Sequence, residues 1–374
     1  MSSFDVAIVG AGPAGSVAAY RLATAGVRVL LVDKATFPRD KPCGGGVTGR
    51  AARHLPFSIE PVVEDVVDTM ECSLNYGPRF TRRARAPFAY MTQRIRLDHF
   101  LLQQAAAAGA DVRDGVKVSD VRKDALAVDG EEMQARVVIG ADGCNGATAK
   151  ALQLGGDVVH GVALEANYPY DARYAGSMTL EITALRGGYA WIFPKGDHLN
   201  LGVGGDAVEG PHLRDHLRRL CEAYDIDPAA ATGTRGYRLP MRRATNVLAR
   251  GTTAVIGDAG GLVDPFSGDG MYEAFLSARL VSAATIDVLR GAAETLEPYA
   301  NAVEKRITPL AAAGWGAKAA FDRFPRTTFL LARIPATFRG LEKILQGELP
   351  YPSAARGLEK RALQLVFRVA KLAT

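Results

Sequence analysis

The sequence predicts an α/β protein: a parallel-sheet domain assembled from separated segments, an inserted antiparallel sheet, and a helical tail. Three observations predict it. A strand, a glycine turn and a helix open the chain between Phe4 and Ala25. Two further glycine turns, Gly140 to Asn145 and Gly257 to Gly270, each follow a short apolar run. Between about Gly161 and Gly205 the apolar residues change to alternation, the pattern of antiparallel strands.

Each element can be justified in order. Phe4 to Val9 is apolar and β-rich, Pro13 to Ala25 reads as a helix ended by Gly26, and Val27 to Val32 is a second apolar run. Continuous apolar strands suit a parallel sheet buried on both faces. Phe37 to Gly49 is rich in Pro and Gly and reads as a loop that approaches something closely. A helix over Leu97 to Ala108 ends at Gly109, and Val137 to Ile139 is another buried strand. Ser177 to Thr183 and Tyr189 to Phe193 supply the alternating segments. A strand at Ala254 to Ile256 precedes a long helix from about Gly270 to Leu289, and from Pro298 the chain is mostly helical with Pro interruptions.

Composition narrows the function class. The 374 residues have room for two domains, or for one large domain with an insertion. The formal charge of +5 is spread along the chain and not gathered into blocks, so no nucleic-acid partner is expected. A basic chain of this kind still leaves an anionic membrane surface or a phosphorylated ligand open. Cys43, Cys72, Cys144 and Cys221 are far apart, which argues against a disulfide framework or a metal site and for a cytoplasmic setting. The N-terminus shows no signal-peptide pattern, and no apolar run reaches the roughly 18 residues a membrane span needs. The expectation is a soluble protein, or one that rests on a membrane.

Gly10-Ala11-Gly12-Pro13-Ala14-Gly15 carries the most chemistry. It follows a strand and opens a helix, as a Rossmann-type dinucleotide site requires. Gly10 permits the tight turn, Gly12 lets backbone approach a pyrophosphate at the helix N-terminus, and Gly15 allows close helix–strand packing. Asp33 ends the second strand, at the spacing where a carboxylate takes ribose hydroxyls. The motif alone does not distinguish FAD from NAD.

Two later segments do, through resemblance. Gly140-Ala141-Asp142-Gly143-Cys144-Asn145 resembles the ADG turn of flavoprotein hydroxylases of the p-hydroxybenzoate hydroxylase type. Gly257-Asp258-Ala259 through Pro265, Gly268 and Gly270 resembles their GDA segment, whose Asp holds a ribityl hydroxyl. The helix after Gly270 would aim its positive end at the isoalloxazine, which suits an anionic reduced flavin. Arg94 in Arg94-Ile95-Arg96-Leu97-Asp98 resembles a helix-start arginine that contacts the cofactor, a reading preferred to a surface arginine at a helix start because Arg suits phosphate recognition.

Lys41-Pro42-Cys43-Gly44-Gly45-Gly46 and Tyr189-Ala190-Trp191-Ile192-Phe193-Pro194-Lys195 then make the chain similar to the geranylgeranyl reductase family, over roughly its first 290 residues. The resemblance implies a glutathione-reductase-like FAD domain from residues 1–70, 93–155 and 245–300. It implies a substrate domain from 71–92 and 156–244, and a helical C-terminal region over 301–374. It places Cys43, Gly44, Gly45 and Gly46 against the flavin. Cofactor contacts are further implied for Pro13, Ala14, Lys34, Val118 and Met271, beside Gly10, Gly12, Gly15, Asp33, Arg94, Asp142, Gly143, Asp258, Gly268 and Gly270.

Tyr189, Trp191 and Phe193 share one face of a strand. Spacing alone fits sheet core as well as a cavity wall, and the resemblance selects the wall, with Pro265 and Cys43 as further cavity candidates. Lys195 reads as a solvated loop lysine.

The implied reaction is hydride transfer from reduced FAD to a prenyl C=C on a lipid, quinone or related isoprenoid. NADPH bound transiently, or a reduced carrier protein, would supply the electrons, since a second GxGxxG is lacking. The motifs show no catalytic acid; Cys43 and a flavin-bound water stand as alternative proton donors. A monooxygenase or halogenase on the same scaffold is the rival activity, and a flavin-binding protein without catalysis is a third reading. A long apolar substrate implies peripheral membrane contact. Lys360, Arg361, Arg368 and Lys371 lie opposite Leu363, Val366, Phe367 and Ala370, which fits an interfacial helix or a helix packed on the body.

Overall fold

The computed structural model describes residues 2–156, 158–182, 185–349, 357 and 361. One sheet carries five parallel strands in the order Thr253–Val255, Glu131–Gly140, Ser2–Val9, Val29–Val32 and Asp111–Arg113. Ala249–Arg250 adds an antiparallel edge, and Val118–Val121 and Ala125–Val128 run as a meander onto Glu131–Gly140. The central stretches of these strands are apolar because both faces are covered there. Val6 to Ile8, Leu30 to Val32, Val137 to Ile139 and Ala254 to Ile256 are wholly buried. Helix Pro13–Thr24 packs between Arg94–Ala107 and Met271–Leu289.

The alternating region forms a seven-stranded sheet in the order Thr232–Met241, Val159–Pro169, His198–Asp206, Tyr189–Pro194, Ser177–Ile182, Thr69–Leu74 and Arg79–Arg83. Period-two patterning divides its side chains. Ala166, Ala190, Ile192, Leu201 and Val203 pack on Leu217, Leu220 and Cys221 of helix Leu213–Ala223. The opposite face presents Met70, Cys72, Leu180, Trp191 and Phe193 to Phe329 and Phe338 of the C-terminal helices Pro325–Ala332 and Pro335–Gln346.

Boundaries differ from the sequence reading where tertiary contacts intervene. The Pro/Gly-rich loop ends in a short strand, Gly46–Thr48, which joins Ala89–Thr92 and Val63–Val67 in a third sheet. The helix expected from Leu97 begins at Arg94. Strand Thr69–Leu74 runs parallel to Ser177–Ile182 and so belongs to the seven-stranded sheet from its first residue. The basic C-terminal segment, with Lys360, Leu363, Val366, Phe367, Arg368, Ala370 and Lys371, lies outside the described residues. None of the described helices is long and apolar enough to cross a membrane.

Candidate active site

The first glycine turn is built by close crossing of backbone. A Cβ on Gly15 would lie 1.9 Å from the Gly10 carbonyl oxygen, and one on Gly10, at φ +104°, 2.4 Å from the Ala141 oxygen. Gly12 caps helix Pro13–Thr24, whose first-turn N–H groups have no carbonyl a turn earlier, an arrangement suited to a ligand's phosphates. Pro13 and Ala14 are buried in that first turn.

Asp33 organises the adjoining turn, one carboxylate oxygen accepting from Ala11 N–H at 2.7 Å and the other from Ala35 N–H at 2.9 Å. Beside it stands Val116, whose N–H bonds the Asp33 carbonyl at 3.0 Å. Val118 is instead paired with Val128 in the meander, and Lys34 is exposed; neither is brought into this group. Arg39 is brought in without having been singled out, its Nη2 lying 3.6 Å from where a Gly12 Cβ would be. The sequence signal for it was an arginine inside a loop rich in Pro and Gly.

The second and third turns converge on the same rim. Asp142 holds the start of helix Thr148–Ala151 by accepting from Thr148 N–H at 3.0 Å and Thr148 Oγ1–H at 2.8 Å, while its Oδ1 is buried without a protein partner. Gly143 turns at φ +77° beside Tyr237 and Lys41. Tyr237 donates to Asp258 at 3.0 Å, and Lys41 lies 3.8 Å from the same carboxylate oxygen. Gly268, at φ +66°, and Gly270 lead into Met271 at the N-terminus of helix Met271–Leu289.

The Cys43–Gly46 loop rests on a buried charged network that the sequence reading missed. Asp98 is wholly buried and takes two hydrogen bonds from Arg94, Nε at 2.6 Å and Nη2 at 2.7 Å. Arg39 Nη1 meets the same carboxylate at 2.9 Å. Burial works against charge on Arg94, but Asp98 more than reverses it and the guanidinium pKa is raised. Arg94 thus spends these donors on Asp98 and reaches the loop through its contact with Cys43. Glu165 is buried and accepts the Cys43 N–H at 2.8 Å, and Cys43 Sγ accepts Gly45 N–H at 3.3 Å.

Lys195 overturns its sequence assignment as a solvated loop lysine. It is 2% exposed, with Nζ donating to the Thr92 carbonyl at 2.6 Å. Its Nζ occupies the space a side chain at Gly45 would need, 2.0 Å from the ideal Cβ position. The signal was present: Lys195 continues the period-two row of Tyr189, Trp191 and Phe193, so it shares their buried face.

Burial pulls the Lys195 pKa down from 10.5 to about 8, with Cys43, Glu165 and Glu64 opposing and Arg94 assisting. The folded chain therefore releases this proton before the unfolded chain does. Between about pH 8 and 10.5 the unfolded state holds more protons, and stability rises with pH by at most about 1.4 kcal/mol per unit. Urea unfolding on both sides of pH 8 should show this rise relative to Lys195→Met. Equal slopes in the two proteins would remove the buried ammonium.

The aromatic row spans from one glycine loop to the other. Tyr189, Trp191 and Phe193 follow one another at ring-centroid distances of 5.9 and 6.1 Å. Their cross-strand partners are Gly204, Gly202 and Asn200, a stretch of small residues that leaves room for the rings. A Cβ at Gly202 would lie 2.0 Å from Trp191 Cζ2. Trp191 Nε1 donates to Asn200 at 2.8 Å, which fixes the indole. Phe193 touches the Gly44 position, and at the other end the Tyr189 hydroxyl donates to the Ser267 carbonyl. Pro265 is turned away toward helix Thr308–Arg323, 3.1 Å from where a Gly314 Cβ would be.

The residues present fit FAD. A backbone crossing free of side chains, a helix N-terminus with a guanidinium beside it, and the orphaned Oδ1 of Asp142 all await an extended, phosphate-bearing ligand. The comparisons agree. Residues 3–308 match the family described as FAD binding domain. The geranylgeranyl diphosphate reductase of Rhodobacter capsulatus is 31% identical over 310 residues, covering 77% of this chain and 76% of its own. The menaquinone reductase of Mycobacterium tuberculosis is 32% identical over 314 residues, covering 75% of this chain and 76% of its own. A geranylgeranyl bacteriochlorophyll reductase-like protein from Thermoplasma acidophilum superimposes with a TM-score of 0.80 at 21% identity, covering 100% of this chain and 98% of that one, and so shares the fold. The chain belongs to the geranylgeranyl reductase family and is an FAD-dependent oxidoreductase.

Proposed function

We propose that this protein saturates C=C bonds of a prenyl chain carried by a lipid, a quinone or a related isoprenoid. The observation that carries the reading is the row Tyr189, Trp191 and Phe193, strung between the Cys43–Gly46 and Ser267–Gly270 loops. Leu180, Ile182, Met178, Cys72 and Met70 continue the same face as apolar packing with Phe329 and Phe338. An alkene chain has no polar handle, so such a face binds it by area alone. Relatives named for geranylgeranyl diphosphate and menaquinone reduction support a prenylated substrate.

In this reading Gly10, Gly12, Gly15, Asp33, Arg39, Asp142, Gly143, Asp258, Gly268 and Gly270 hold FAD, which when reduced supplies a hydride. NADPH or a reduced carrier protein would recharge it. The aromatic faces steady positive charge developing on the alkene, by about 0.5–2 kcal/mol each. A substrate of this type brings the protein to a membrane surface.

The test is anaerobic. The yellow protein is reduced with dithionite, geranylgeranyl diphosphate or a geranylgeranylated lipid is added, and flavin absorbance and product mass are followed. Reoxidation with a gain of hydrogen pairs is the expected result. Flavin that stays reduced until air enters would instead favour a monooxygenase. Trp191→Leu should slow alkene reduction on the order of tenfold or more while the protein stays yellow, since that indole face contributes up to about 2 kcal/mol. Wild-type turnover in that variant would end the row's catalytic role.

A further inference from the structure

Adding hydrogen across an isolated C=C needs a proton as well as a hydride, and the sequence offers no evident donor. The structure places two carboxyl groups at the start of helix Met271–Leu289, where the loop under Tyr189 enters it. Glu273 is 2% exposed, with Oε2 lacking any hydrogen-bond partner. Asp269 lies between Gly268 and Gly270. Its Oδ1 accepts Met271 N–H at 2.8 Å, and its Oδ2 is buried without a hydrogen bond.

A charge count decides the state of this pair. The groups facing it are Arg50 from the short helix Gly49–Ala52, Asp264 from the preceding loop, Tyr272 on the same helix and Tyr189 from the sheet. Asp264 Oδ1 accepts Phe266 N–H at 3.1 Å, Ser267 N–H at 2.7 Å and Ser267 Oγ–H at 2.7 Å. Arg50 is the one cation among these facing groups, and its Nη2 stands 3.7 Å from Asp269 Oδ2. That one positive charge faces three carboxyls, Glu273, Asp269 and Asp264, so ionising all three would leave two uncompensated negative charges in a buried place. That is disfavoured, and at least one carboxyl stays protonated. On Asp269 the proton belongs to Oδ2, because Oδ1 is already an acceptor. Burial, first of all, raises both acids above the ordinary range, each reinforced by Asp264 and opposed by Arg50.

We propose that Asp269 is the proton donor of the reaction, in a buried group where one cation faces three carboxyls. Placement supports the assignment. Asp269 N–H bonds Ser267 Oγ at 3.2 Å, and the Ser267 carbonyl accepts the Tyr189 hydroxyl, so the acid stands one residue pair away from the end of the aromatic row. The Asp269 side chain is 15% exposed although Oδ2 itself is buried, so solvent lies at the residue's edge.

The step balances. The alkene π pair takes the proton from Oδ2 and the O–H bond breaks. The other alkene carbon receives the hydride that the family's cofactor supplies, and the Asp269 carboxylate, faced by Arg50, regains a proton from water. The role rests on the reductase reading above.

The test uses the intact holoprotein and Asp269→Asn, whose Oδ1 can still accept Met271 N–H. Infrared spectra at neutral pH should show a protonated carboxyl stretch in the wild type, of which one component disappears in D269N. In the anaerobic assay with geranylgeranyl diphosphate, D269N should oxidise its flavin at least about 100-fold more slowly, the usual scale of a lost general acid. The wild-type rate should fall as rising pH ionises Asp269, and this limb should vanish in D269N. Equal wild-type and D269N rates, or an unchanged carboxyl band, would overturn the role and leave the reductase reading standing. A wild-type flavin that no prenyl alkene reoxidises would defeat both, whatever the infrared shows.

Discussion

Asp98→Ala should destabilise the protein by about 3–5 kcal/mol, the cost of leaving a buried ion without its partner. Asp98 is wholly buried and Arg94 nearly so, and the two hydrogen bonds between them have no substitute among the described residues. Arg39 would lose the same carboxylate. Urea unfolding gives the size directly. Flavin affinity should fall with it, because Arg39 stands beside Gly12 while Arg94 stands beside Cys43. A loss under about 1 kcal/mol would mean that the guanidinium groups reach water once the carboxylate is gone, as exposed pairs do.

The second large effect is expected from Gly15→Ala. The added carbon would lie 1.9 Å from a carbonyl oxygen of Gly10, and backbone cannot yield there without parting helix Pro13–Thr24 from strand Ser2–Val9. The expected cost is about 3 kcal/mol or more, the upper end of overpacking, with colourless or insoluble protein as the result. Gly26→Ala is the matching control. It sits just past the end of the same helix, at φ +79°, and nothing lies within 4 Å of its Cβ position. Only left-handed strain remains there, about 1–2 kcal/mol, and flavin should be retained. A yellow, stable G15A protein would show that the crossing is looser than these distances require.

Much of the fold was legible because its signals are local. An apolar run of strand length, a glycine where backbone must pass backbone, and a switch to alternation were each visible within a dozen residues. The three glycine turns and the aromatic row could be placed for that reason. Arg94 and Lys195 were less legible. A lysine after Pro194 looks like the edge of a loop until Gly45 and Thr92 are seen to enclose it. An arginine at a helix start looks free until Asp98, one turn on, is found buried with it and shared with Arg39. Val118 is a position whose neighbour in space, Val128, is set by the meander.

By itself, the sequence determined the α/β class, the dinucleotide crossing and the face on which Tyr189, Trp191 and Phe193 stand. These follow from covalent spacing and short-range sterics, which a chain carries wherever it goes. Tertiary structure alone decided which charges lie out of water: Lys195 beneath Gly45, Asp98 between two arginines, Asp269 and Glu273 at a helix start. The physical reason is desolvation. Whether a carboxyl or an ammonium keeps its ordinary proton affinity depends on what distant segments remove from its surroundings, and no local pattern records that.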